Sequence, residues 1–489
     1  MEEDIIKVRI EKLNKLKEIG INPYPYKFNK SKNNDQIKKE FQNLNPDEHT
    51  NITESVAGRI MLMREMGKIT FITLRDEFDD LQIVLKEDLT KNYELLKYLD
   101  IGDWLGVTGK VGKTKKGEIS IFAEKFEILC KAIKPLPEKY HGISDDEIRY
   151  RKRYLDLIMN WETRKNFKIR HEIIRMTREY LYDKGFIELE TPILQPVYGG
   201  ANAKPFITHF NALDCNFYLK ISPELYLKRL IVGGYEKVFE ITKNFRNEGY
   251  DTRHSPEFTM IEWYMAYADY FDMMDMIEEL FKKIALKIKG SLKFKYLDYE
   301  LDFSHFERIS MVDAIKKYAG YDVEKMNDEE IKNAILENGG EFEEYFSRGL
   351  LINALFEATT EKHLIQPTFI MDHPVEISPL TKIHRNKPGF VERFELFIAG
   401  KEIANAYSEL NDPIDQRQRF EEQEEMRKKG DEEAMPNDYD FVEAIETGMP
   451  PTGGLGFGID RLVMLMINSD SIKDAIPFPA VKPEELEKE

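Results

Sequence analysis

The chain has 489 residues, a length typical of about two to four domains. Its 89 acidic residues outnumber 71 basic ones, and the net charge of −18 argues against a protein that coats nucleic acid non-specifically, although a local basic surface can still bind phosphates. Cys130 and Cys215 have no Cys or His neighbours at metal-ligand spacing, which disfavours a zinc site and a disulfide framework. Free thiols, an acidic N-terminus and the lack of an apolar run of about 18 residues predict a cytoplasmic protein without a membrane segment.

Residues 1–50 are predicted to form a helical extension, because apolar residues recur at near-helical spacing until Gly20 and Pro23 end the pattern. Residues 51–135 change to short runs typical of strands, at 55–63, 68–75, 81–85, 104–111 and 119–129. These five strands predict a small β-barrel, for which the OB-fold is the most economical choice. A different small barrel without a nucleic-acid role fits the pattern about equally well.

Pro135, Pro137 and Gly142 indicate a linker over residues 136–150. The remaining residues, 151–489, mix long helical patterns with strands. Helices are predicted at 163–184, 267–288, 311–319, 327–337, 348–361, 414–429 and 458–468, and strands at 186–190, 216–221, 236–247, 257–266, 367–372, 391–398 and 401–409. Several successive strands have no helix between them, which favours an antiparallel sheet flanked by helices in an α+β fold.

The segment 236–267 is predicted to form two strands joined by a polar loop. Every second residue of the second strand is expected on one face, namely Phe258, Met260, Glu262 and Tyr264. Arg246 can hold a carboxylate and an α-phosphate together, Phe258 can stack on adenine, and a carboxylate can accept hydrogen bonds from an ammonium group. Singly, each residue is better explained as a core aromatic or an exposed charge, but the set favours a site, since buried charges need partners.

Glu402 and Glu409 lie in apolar surroundings, and paired carboxylates of this kind bind Mg²⁺, with phosphate oxygens completing its shell. Their spacing of seven places them on opposite faces of a regular strand. The pairing therefore requires a bulge, predicted near Asn405-Ala406. Two unrelated exposed charges are the alternative for this pair taken alone.

A glycine cluster, PPTGGLGFGIDR at 450–461, precedes a predicted helix. It is neither a Walker A loop nor a dinucleotide fingerprint, because Ile459 stands where GxGxxG needs glycine. An ordinary turn explains the glycines alone. Together with Arg461 they suit a strand lying under ATP, since glycine lets a backbone approach another group closely.

Together these segments resemble the class II aminoacyl-tRNA synthetases. FRNEG…RHSPEFT is similar to their motif 2, GLGFGIDR to motif 3, and KGFIELETPIL to motif 1 at the dimer interface. An N-terminal OB-like domain is similar to the subgroup for lysine, aspartate and asparagine. Within that subgroup, the stretches that look like the lysine enzymes are GGANAKPF (199–206), SPELYLKRL (222–230), EFTMIEWYMAYADY (257–270) and KEIANAYSELND (401–412).

The resemblance implies an ATP-dependent, Mg²⁺-using homodimer with a catalytic domain at 151–489, which forms lysyl-adenylate and transfers the lysine to the 3′-terminal adenosine of tRNA(Lys). For ATP it implies contacts from Arg246, Glu248, His254, Phe258, Glu402 and Arg461, of which Arg246 and Arg461 act in catalysis, and for the metal it implies Glu402 and Glu409. For lysine it implies Gly200, Glu224, Arg246, Glu262, Tyr264 and Asn411. In the OB-like domain it implies anticodon contacts from Arg64, Phe71 and Gln82.

Three alternatives compete with this interpretation. A sister enzyme for aspartate or asparagine needs cations or amide partners in its pocket, whereas Glu224, Glu262 and Tyr264 favour a cationic substrate. A nucleic-acid-binding paralogue without catalysis is disfavoured by the intact Arg246, Glu402, Glu409 and Arg461. A lysine ligase acting on a protein is disfavoured by the OB-like domain.

Overall fold

The computed structural model describes residues 2–137, 146–252, 254–428 and 435–483. Contacts divide the chain into two units, Met1–Ser144 and Asp145–Glu489. The predicted linker at 136–150 lies largely outside the described residues, and the predicted domain boundaries stay predictions. None of the helices in the described ranges combines the length and apolar character that crossing a membrane requires.

In its described residues the first unit contains two α-helices, a short 3-10 helix (Tyr93–Tyr98) and five strands. The α-helices are α1 (Glu2–Glu18) and α2 (Asn34–Glu40), and the strands are β1 (His49–Met66), β2 (Ile69–Arg75), β3 (Asp80–Lys86), β4 (Trp104–Lys113) and β5 (Ile119–Cys130). The strands close into a barrel in the order β1-β2-β3-β5-β4, where β3 and β5 run parallel. Alternate residues point inward, so Ile72, Leu74 and Ile83 are fully buried. The predicted β-barrel is confirmed.

The second unit mixes strands and helices. Its strands are β6 (Ile187–Glu188), β7 (Leu194–Gln195), β8 (Ile207–Phe210), β9 (Cys215–Leu219), β10 (Lys237–Phe245), β11 (Glu257–Ala266), β12 (Lys293–Tyr296), β13 (Tyr299–Asp302), β14 (Glu307–Ser310), β15 (Thr368–Pro374), β16 (Phe390–Ile398), β17 (Lys401–Ser408) and β18 (Thr452–Gly458). Its helices are α3 (Asp146–Arg151), α4 (Arg153–Met159), α5 (Trp161–Asp183), α6 (Glu224–Val232), α7 (Tyr270–Lys289), α8 (Met311–Ala319), α9 (Asp328–Glu337), α10 (Arg348–Thr359), α11 (Pro413–Lys428), α12 (Tyr439–Glu446), α13 (Ile459–Ile467) and α14 (Ile472–Ala475). Each helix and strand predicted for this unit corresponds to one of these elements, whereas α6 and α12 are among those that the predictions missed. For the segment of β18 the sequence fits both a turn and a strand, and the structure has a strand.

The main sheet has eight strands in the order β14-β15-β16-β17-β18-β11-β10-β6. The six central strands in this order, from β15 through to β10, pair antiparallel with one another, and the edge strands β14 and β6 run parallel to their neighbours. Two small sheets, β12-β13 and β7-β9-β8, accompany it. The predicted α+β fold with an antiparallel sheet is confirmed.

The two faces of the main sheet differ in character. On one face, apolar residues such as Trp263, Leu455 and Ala406 pack with α5, α7 and α13 in a continuous core. Because side chains alternate across the pleat, the residues between them point to the opposite face. That face carries polar side chains and forms the candidate site.

Candidate active site

The polar face of the main sheet lines a cavity of about 340 Å³. Two rows of directly opposed residues cross β11, β18, β17 and β16 beneath it. One row is Glu262, Gly456, Asn405 and Glu395, and the other is Tyr264, Gly454, Tyr407 and Arg393. All eight line the cavity, together with Phe258 and Met260. The four residues predicted to share one face of β11 therefore do so.

The glycine cluster forms strand β18, and its glycines leave space for side chains of the neighbouring strands. A Cβ atom at Gly454 would lie 2.0 Å from Glu409 Oε1 and 2.4 Å from Tyr264 Cε1, which is closer than real Cβ atoms approach. A Cβ atom at Gly456 would lie 3.1 Å from Glu262 Cγ. Glycine is therefore required at 454 if the side chains of β11 and of the end of β17 are to meet above β18.

One end of the cavity carries two arginines. The Arg246 guanidinium lies 5.1 Å from the centre of the Phe258 ring, and its buried Nε has no hydrogen-bond partner among the described residues. Burial lowers the pKa of Arg246, against the opposing effect of nearby carboxylates such as Glu248. Arg461, in the first turn of α13, contacts Glu402 Oε2 at 3.3 Å. This end offers guanidinium donors, one of them unsatisfied, to an anionic ligand.

Two carboxylates face the arginine end from the hairpin of β16 and β17. Glu395 accepts a hydrogen bond from Arg393 Nη2 at 2.6 Å, and Glu402 lies beside Arg461. Burial raises the pKa of the Glu402 carboxyl, and the charge of Glu395 raises it further. Both carboxylates line the same cavity, and a cation bound between them would offset their negative charges.

The loop between β10 and β11 brings two further predicted nucleotide contacts to the cavity. Glu248 and His254 both line it. Glu248 Oε1 accepts a hydrogen bond from the Lys204 backbone N–H at 3.3 Å, and His254 Nδ1 lies 2.9 Å from Asp251 Oδ2. Both side chains are held by these local contacts, and both line the same cavity as Phe258.

The other end of the cavity is acidic. Glu224 and Glu262 line it, and Glu409 is buried beside them. Glu262 accepts a hydrogen bond from the Tyr264 hydroxyl at 3.0 Å, and Glu224 Oε2 accepts one from the Tyr407 hydroxyl at 3.2 Å. Burial, and then the charge of Glu224, raise the pKa of Glu262 to about 8. Burial likewise raises the pKa of Glu409. A ligand with ammonium groups would stabilise the ionised form of these carboxyls.

Gly200 lines the acidic end beside Glu224. Its φ of +85° lies in the left-handed region, and a Cβ atom there would lie 2.8 Å from Ser222 Oγ and 2.9 Å from Glu224 Cβ. Conformation and space both require glycine, which lets this backbone come close to a ligand.

The structure does not bring Glu402 and Glu409 together as predicted. The register of β16 and β17 shifts between Glu402 and Ala404, so the irregularity exists but precedes its predicted position at Asn405-Ala406. Glu402 contacts Arg461 at one end of the cavity, whereas Glu409 is ion-paired with a buried lysine at the other. The carboxylate that accompanies Glu402 is Glu395. A hairpin signal, Gly400 between two apolar runs, could have identified it.

Asn411, predicted to bind lysine, does not line the cavity, and its Nδ2 donates to the Met449 carbonyl at 2.9 Å. The polar residues that β17 presents to this side are Asn405 and Tyr407, and Glu409 follows at the same spacing of two. Asn405 and Tyr407 were not predicted as site residues, because the segment was interpreted only through its two carboxylates. The spacing of two between Asn405, Tyr407 and Glu409 could have indicated that all three face the same side of the strand.

The donor set at the arginine end suits one class of metal. Within the described ranges, no group of three His, Cys, Asp or Glu residues is placed to hold a metal ion. Glu395 and Glu402 offer two carboxylates, and Mg²⁺ is commonly held by one or two carboxylates together with substrate phosphates. These residues fit a Mg²⁺ ion that binds with a nucleotide.

The predicted anticodon residues share an outer face of the barrel. Arg64 lies directly opposite Phe71, and Gln82 lies opposite Thr73, two residues beyond Phe71 on the same strand face. The row of Phe71 continues through β3 to Phe122 on β5, an aromatic residue that the sequence analysis missed. Two rings beside polar side chains suit stacking and hydrogen bonding with unpaired bases.

Comparisons with known proteins agree with this arrangement. Residues 145–482 match the family model described as tRNA synthetases class II (D, K and N), and residues 54–129 match the OB-fold nucleic acid binding domain. The barrel is therefore an OB-fold.

Several relatives of similar length are lysine–tRNA ligases. The chain is 51% identical over 486 residues to the lysine–tRNA ligase of Fervidobacterium nodosum, covering 99% of this chain and 95% of the relative. It is 51% identical over 489 residues to that of Thermosipho africanus, covering 98% and 97%. For that of Methanoculleus marisnigri the identity is 51% over 481 residues, covering 97% and 94%.

Proposed function

Because the chain belongs to the class II tRNA synthetases for aspartate, lysine and asparagine, and among them to the lysine–tRNA ligases, we propose that its cavity is where lysine and ATP react. The enzyme is an ATP-dependent aminoacyl-tRNA ligase. One observation carries the site assignment: a single cavity has guanidinium groups at one end and buried carboxylates at the other. Lysine carries a carboxylate and two ammonium groups, whereas aspartate and asparagine carry the α-ammonium alone and would bring no side-chain cation to the acidic end. Amino-acid-dependent exchange between ATP and pyrophosphate tests the assignment.

Lysine is proposed to lie with its carboxylate against Arg246 and its ammonium groups at the acidic end. The Gly200 carbonyl and Glu224 would accept the α-ammonium. The side-chain ammonium would lie among Glu262, Tyr264 and Glu409. Burial of these groups supports the arrangement, because each buried carboxylate left without a cation costs about 1–3 kcal/mol or more. Shorter or neutral side chains would therefore be rejected.

ATP is proposed to occupy the arginine end. Phe258 would stack on the adenine, with Arg461 beside the ring and the triphosphate. Glu248 and His254, which line the cavity from the loop, would complete the nucleotide site. The unpartnered Nε of Arg246 supports a phosphate there, since a buried donor without a partner is costly.

The chemistry that follows needs alignment rather than a base. A carboxylate oxygen of lysine attacks the α-phosphorus of ATP, and the bond from phosphorus to the bridging oxygen of pyrophosphate breaks. A carboxylate is already a nucleophile, so no proton has to be removed. Arg246 aligns carboxylate and phosphate, and Arg461 offsets the charge that moves to the pyrophosphate. The 3′-hydroxyl of the terminal adenosine of tRNA then attacks the lysyl carbonyl carbon and displaces AMP.

Mg²⁺, which the family generally uses, is proposed to be held by Glu395 and Glu402 rather than by Glu402 and Glu409. Bound there with ATP, the ion would neutralise phosphate charge and polarise the phosphoryl oxygens. The position of Glu395 and Glu402 on the paired strands β16 and β17, both lining the cavity, supports this assignment. The ion pair of Glu409 at the other end argues for a role with lysine instead.

Three glutamine variants distinguish a role in Mg²⁺ binding from a role in lysine binding. Glu395→Gln or Glu402→Gln is expected to slow pyrophosphate exchange by about 100-fold or more and to raise the Mg²⁺ concentration needed for half-maximal rate. Glu409→Gln is expected to raise the KM for lysine by about tenfold or more, with the Mg²⁺ dependence unchanged. Exchange rates measured across Mg²⁺ and lysine concentrations decide this. If the Mg²⁺ dependence shifted in Glu409→Gln and stayed unchanged in Glu395→Gln, the metal would instead be held by Glu402 and Glu409, as the sequence predicted.

Phe71→Ala is expected to leave lysine-dependent pyrophosphate exchange intact and to raise the KM for tRNA(Lys) by about tenfold to 100-fold, because a stacked base is worth roughly 1–3 kcal/mol. Exchange and aminoacylation assays on the same preparation measure the two steps separately. Phe78→Ala removes a ring that is 43% exposed in the turn after β2, and serves as the control. Equal losses in exchange and aminoacylation would refute the anticodon assignment.

A homodimer is proposed because apolar side chains are exposed along the segment that resembles motif 1 and the small sheet after it, at Ile187, Ile193, Leu194, Ile207 and Phe210. A second copy of the chain covering them would remove this apolar surface from water. A solution mass near 57.5 kDa rather than twice that value would contradict the proposal. The cytoplasmic location stays a prediction.

A further inference from the structure

A lysine of the enzyme itself lies against two of the carboxylates at the acidic end of the cavity. Lys228, on α6, is fully buried, and its Nζ lies 2.7 Å from Glu224 Oε1 and forms a second ion pair with Glu409 Oε2. Nζ also lies 5.8 Å from the centre of the Tyr407 ring and 5.9 Å from that of Phe441. The side chain therefore joins α6 to the end of β17 through two carboxylates.

Each of these carboxylates keeps an oxygen that Lys228 does not contact. Glu224 Oε2 accepts a hydrogen bond from Tyr407, and Glu409 Oε1 has no hydrogen-bond partner among the described residues. The free Oε1 lies above Gly454, on the cavity side of β18. Lys228 thus fixes one oxygen of each carboxylate and leaves the other available to a ligand.

The charges at this end also depend on Lys228. Glu224, Glu262 and Glu409 carry three negative charges when ionised, and Lys228 supplies one positive charge, which leaves a formal balance of −2. The two ammonium groups of lysine match that balance. Burial lowers the pKa of Lys228, but Glu224 and Glu409 outweigh it and raise the pKa above its usual value, which keeps the ammonium charged.

We propose that Lys228 is a positioning residue for lysine recognition, which holds Glu224 and Glu409 at the separation that fits the two ammonium groups of one amino acid. The inference rests on the proposed assignment of these carboxylates to lysine. Without Lys228, two adjacent buried carboxylates would repel each other, and one of them would take up a proton or turn away. The pocket would then lose its fit to lysine while the ATP site kept its geometry.

Lys228→Met tests the proposal, with Lys131→Met as the matched control. Lys131 is likewise fully buried between two carboxylates, 2.5 Å from Asp100 and 2.9 Å from Asp103, but in the barrel. Lys228→Met is expected to raise the KM for lysine in pyrophosphate exchange by about 30-fold, as when one partner of a buried charge pair is removed. The KM for ATP and kcat should change by less than about threefold, and Lys131→Met should leave all three within that range.

A double variant separates positioning from general destabilisation. If Lys228 acts through Glu409, adding Lys228→Met to Glu409→Gln is expected to raise the KM for lysine by much less than in the wild-type background. Lys228→Gln, which keeps a polar side chain, provides the same comparison should the methionine variant not fold. Three results would overturn the proposal. They are an unchanged KM for lysine in Lys228→Met, a fall in kcat with equal rises in the KM for lysine and for ATP, and fully additive effects in the double variant. Wild-type protein without lysine-dependent exchange would instead refute the proposed function beneath it.

Discussion

Replacing Arg246 with alanine is expected to slow lysine-dependent pyrophosphate exchange by about 10³- to 10⁵-fold, the range found when an arginine is lost from a phosphoryl-transfer site. Arg246 lies over Phe258 at the arginine end of the cavity, with a buried Nε that no described residue satisfies. It is proposed to contact both the lysine carboxylate and the α-phosphate. Its loss should therefore remove alignment as well as charge stabilisation.

Two companion variants show whether charge or geometry matters at 246. Arg246→Lys keeps the charge but loses the planar fork, so it is expected to recover only part of the rate. Arg175→Ala removes an exposed arginine of α5 that pairs with Glu172 and Glu179, and should leave the rate unchanged. An Arg246→Ala enzyme that is folded by circular dichroism and within tenfold of the wild-type rate would refute the phosphate contact.

Adding one methyl group at Gly454 is expected to lower kcat/KM for lysine by about 100-fold or more, because overpacking a buried site forces its neighbours apart. The new Cβ would meet Glu409 Oε1 at 2.0 Å and Tyr264 Cε1 at 2.4 Å. Neither neighbour can yield easily, since the Tyr264 ring is buried and Glu409 is ion-paired with Lys228. The substitution should therefore damage the lysine pocket directly.

Gly458→Ala, on the same strand, is the control for this effect. Its nearest neighbours to a new Cβ are Arg461 atoms at 3.7 Å, an ordinary contact, so the KM for lysine should stay within about threefold of the wild-type value. Steady-state exchange kinetics in lysine and in ATP measure both variants. A Gly454→Ala enzyme with normal lysine kinetics would show that the space above β18 is not part of the amino-acid site.

The elements with strong periodicity were predictable from the sequence, and those set by tertiary pairing were not. Strand β11 is rich in residues that favour strands, so the shared face of Phe258, Glu262 and Tyr264 followed from the two-residue period of a strand. Strand β18 is glycine-rich, which locally favours a turn, and only its pairing with β11 and β17 makes it a strand. Helix α6 is buried along most of its length and shows no clear polar face.

The carboxylates illustrate the same limit within the site. Glu395 and Glu402 are separated by seven residues, as are Glu402 and Glu409. Sequence separation cannot tell which pair meets, because a hairpin brings the first pair to one end of the cavity and the length of β17 carries Glu409 to the other. The position of the register shift depends on the pairing of β16 with β17, which no local pattern specifies.

The central claim is that the acidic end of the cavity selects an amino acid with a long, positively charged side chain. Pyrophosphate exchange by the purified enzyme tests it most directly, with lysine, ornithine, aspartate and asparagine supplied one at a time. Lysine is expected to support exchange, and ornithine, one methylene shorter, to do so with kcat/KM lower by about tenfold or more. Aspartate and asparagine should give none above background. Exchange driven by aspartate or asparagine, or its absence with lysine, would contradict the account.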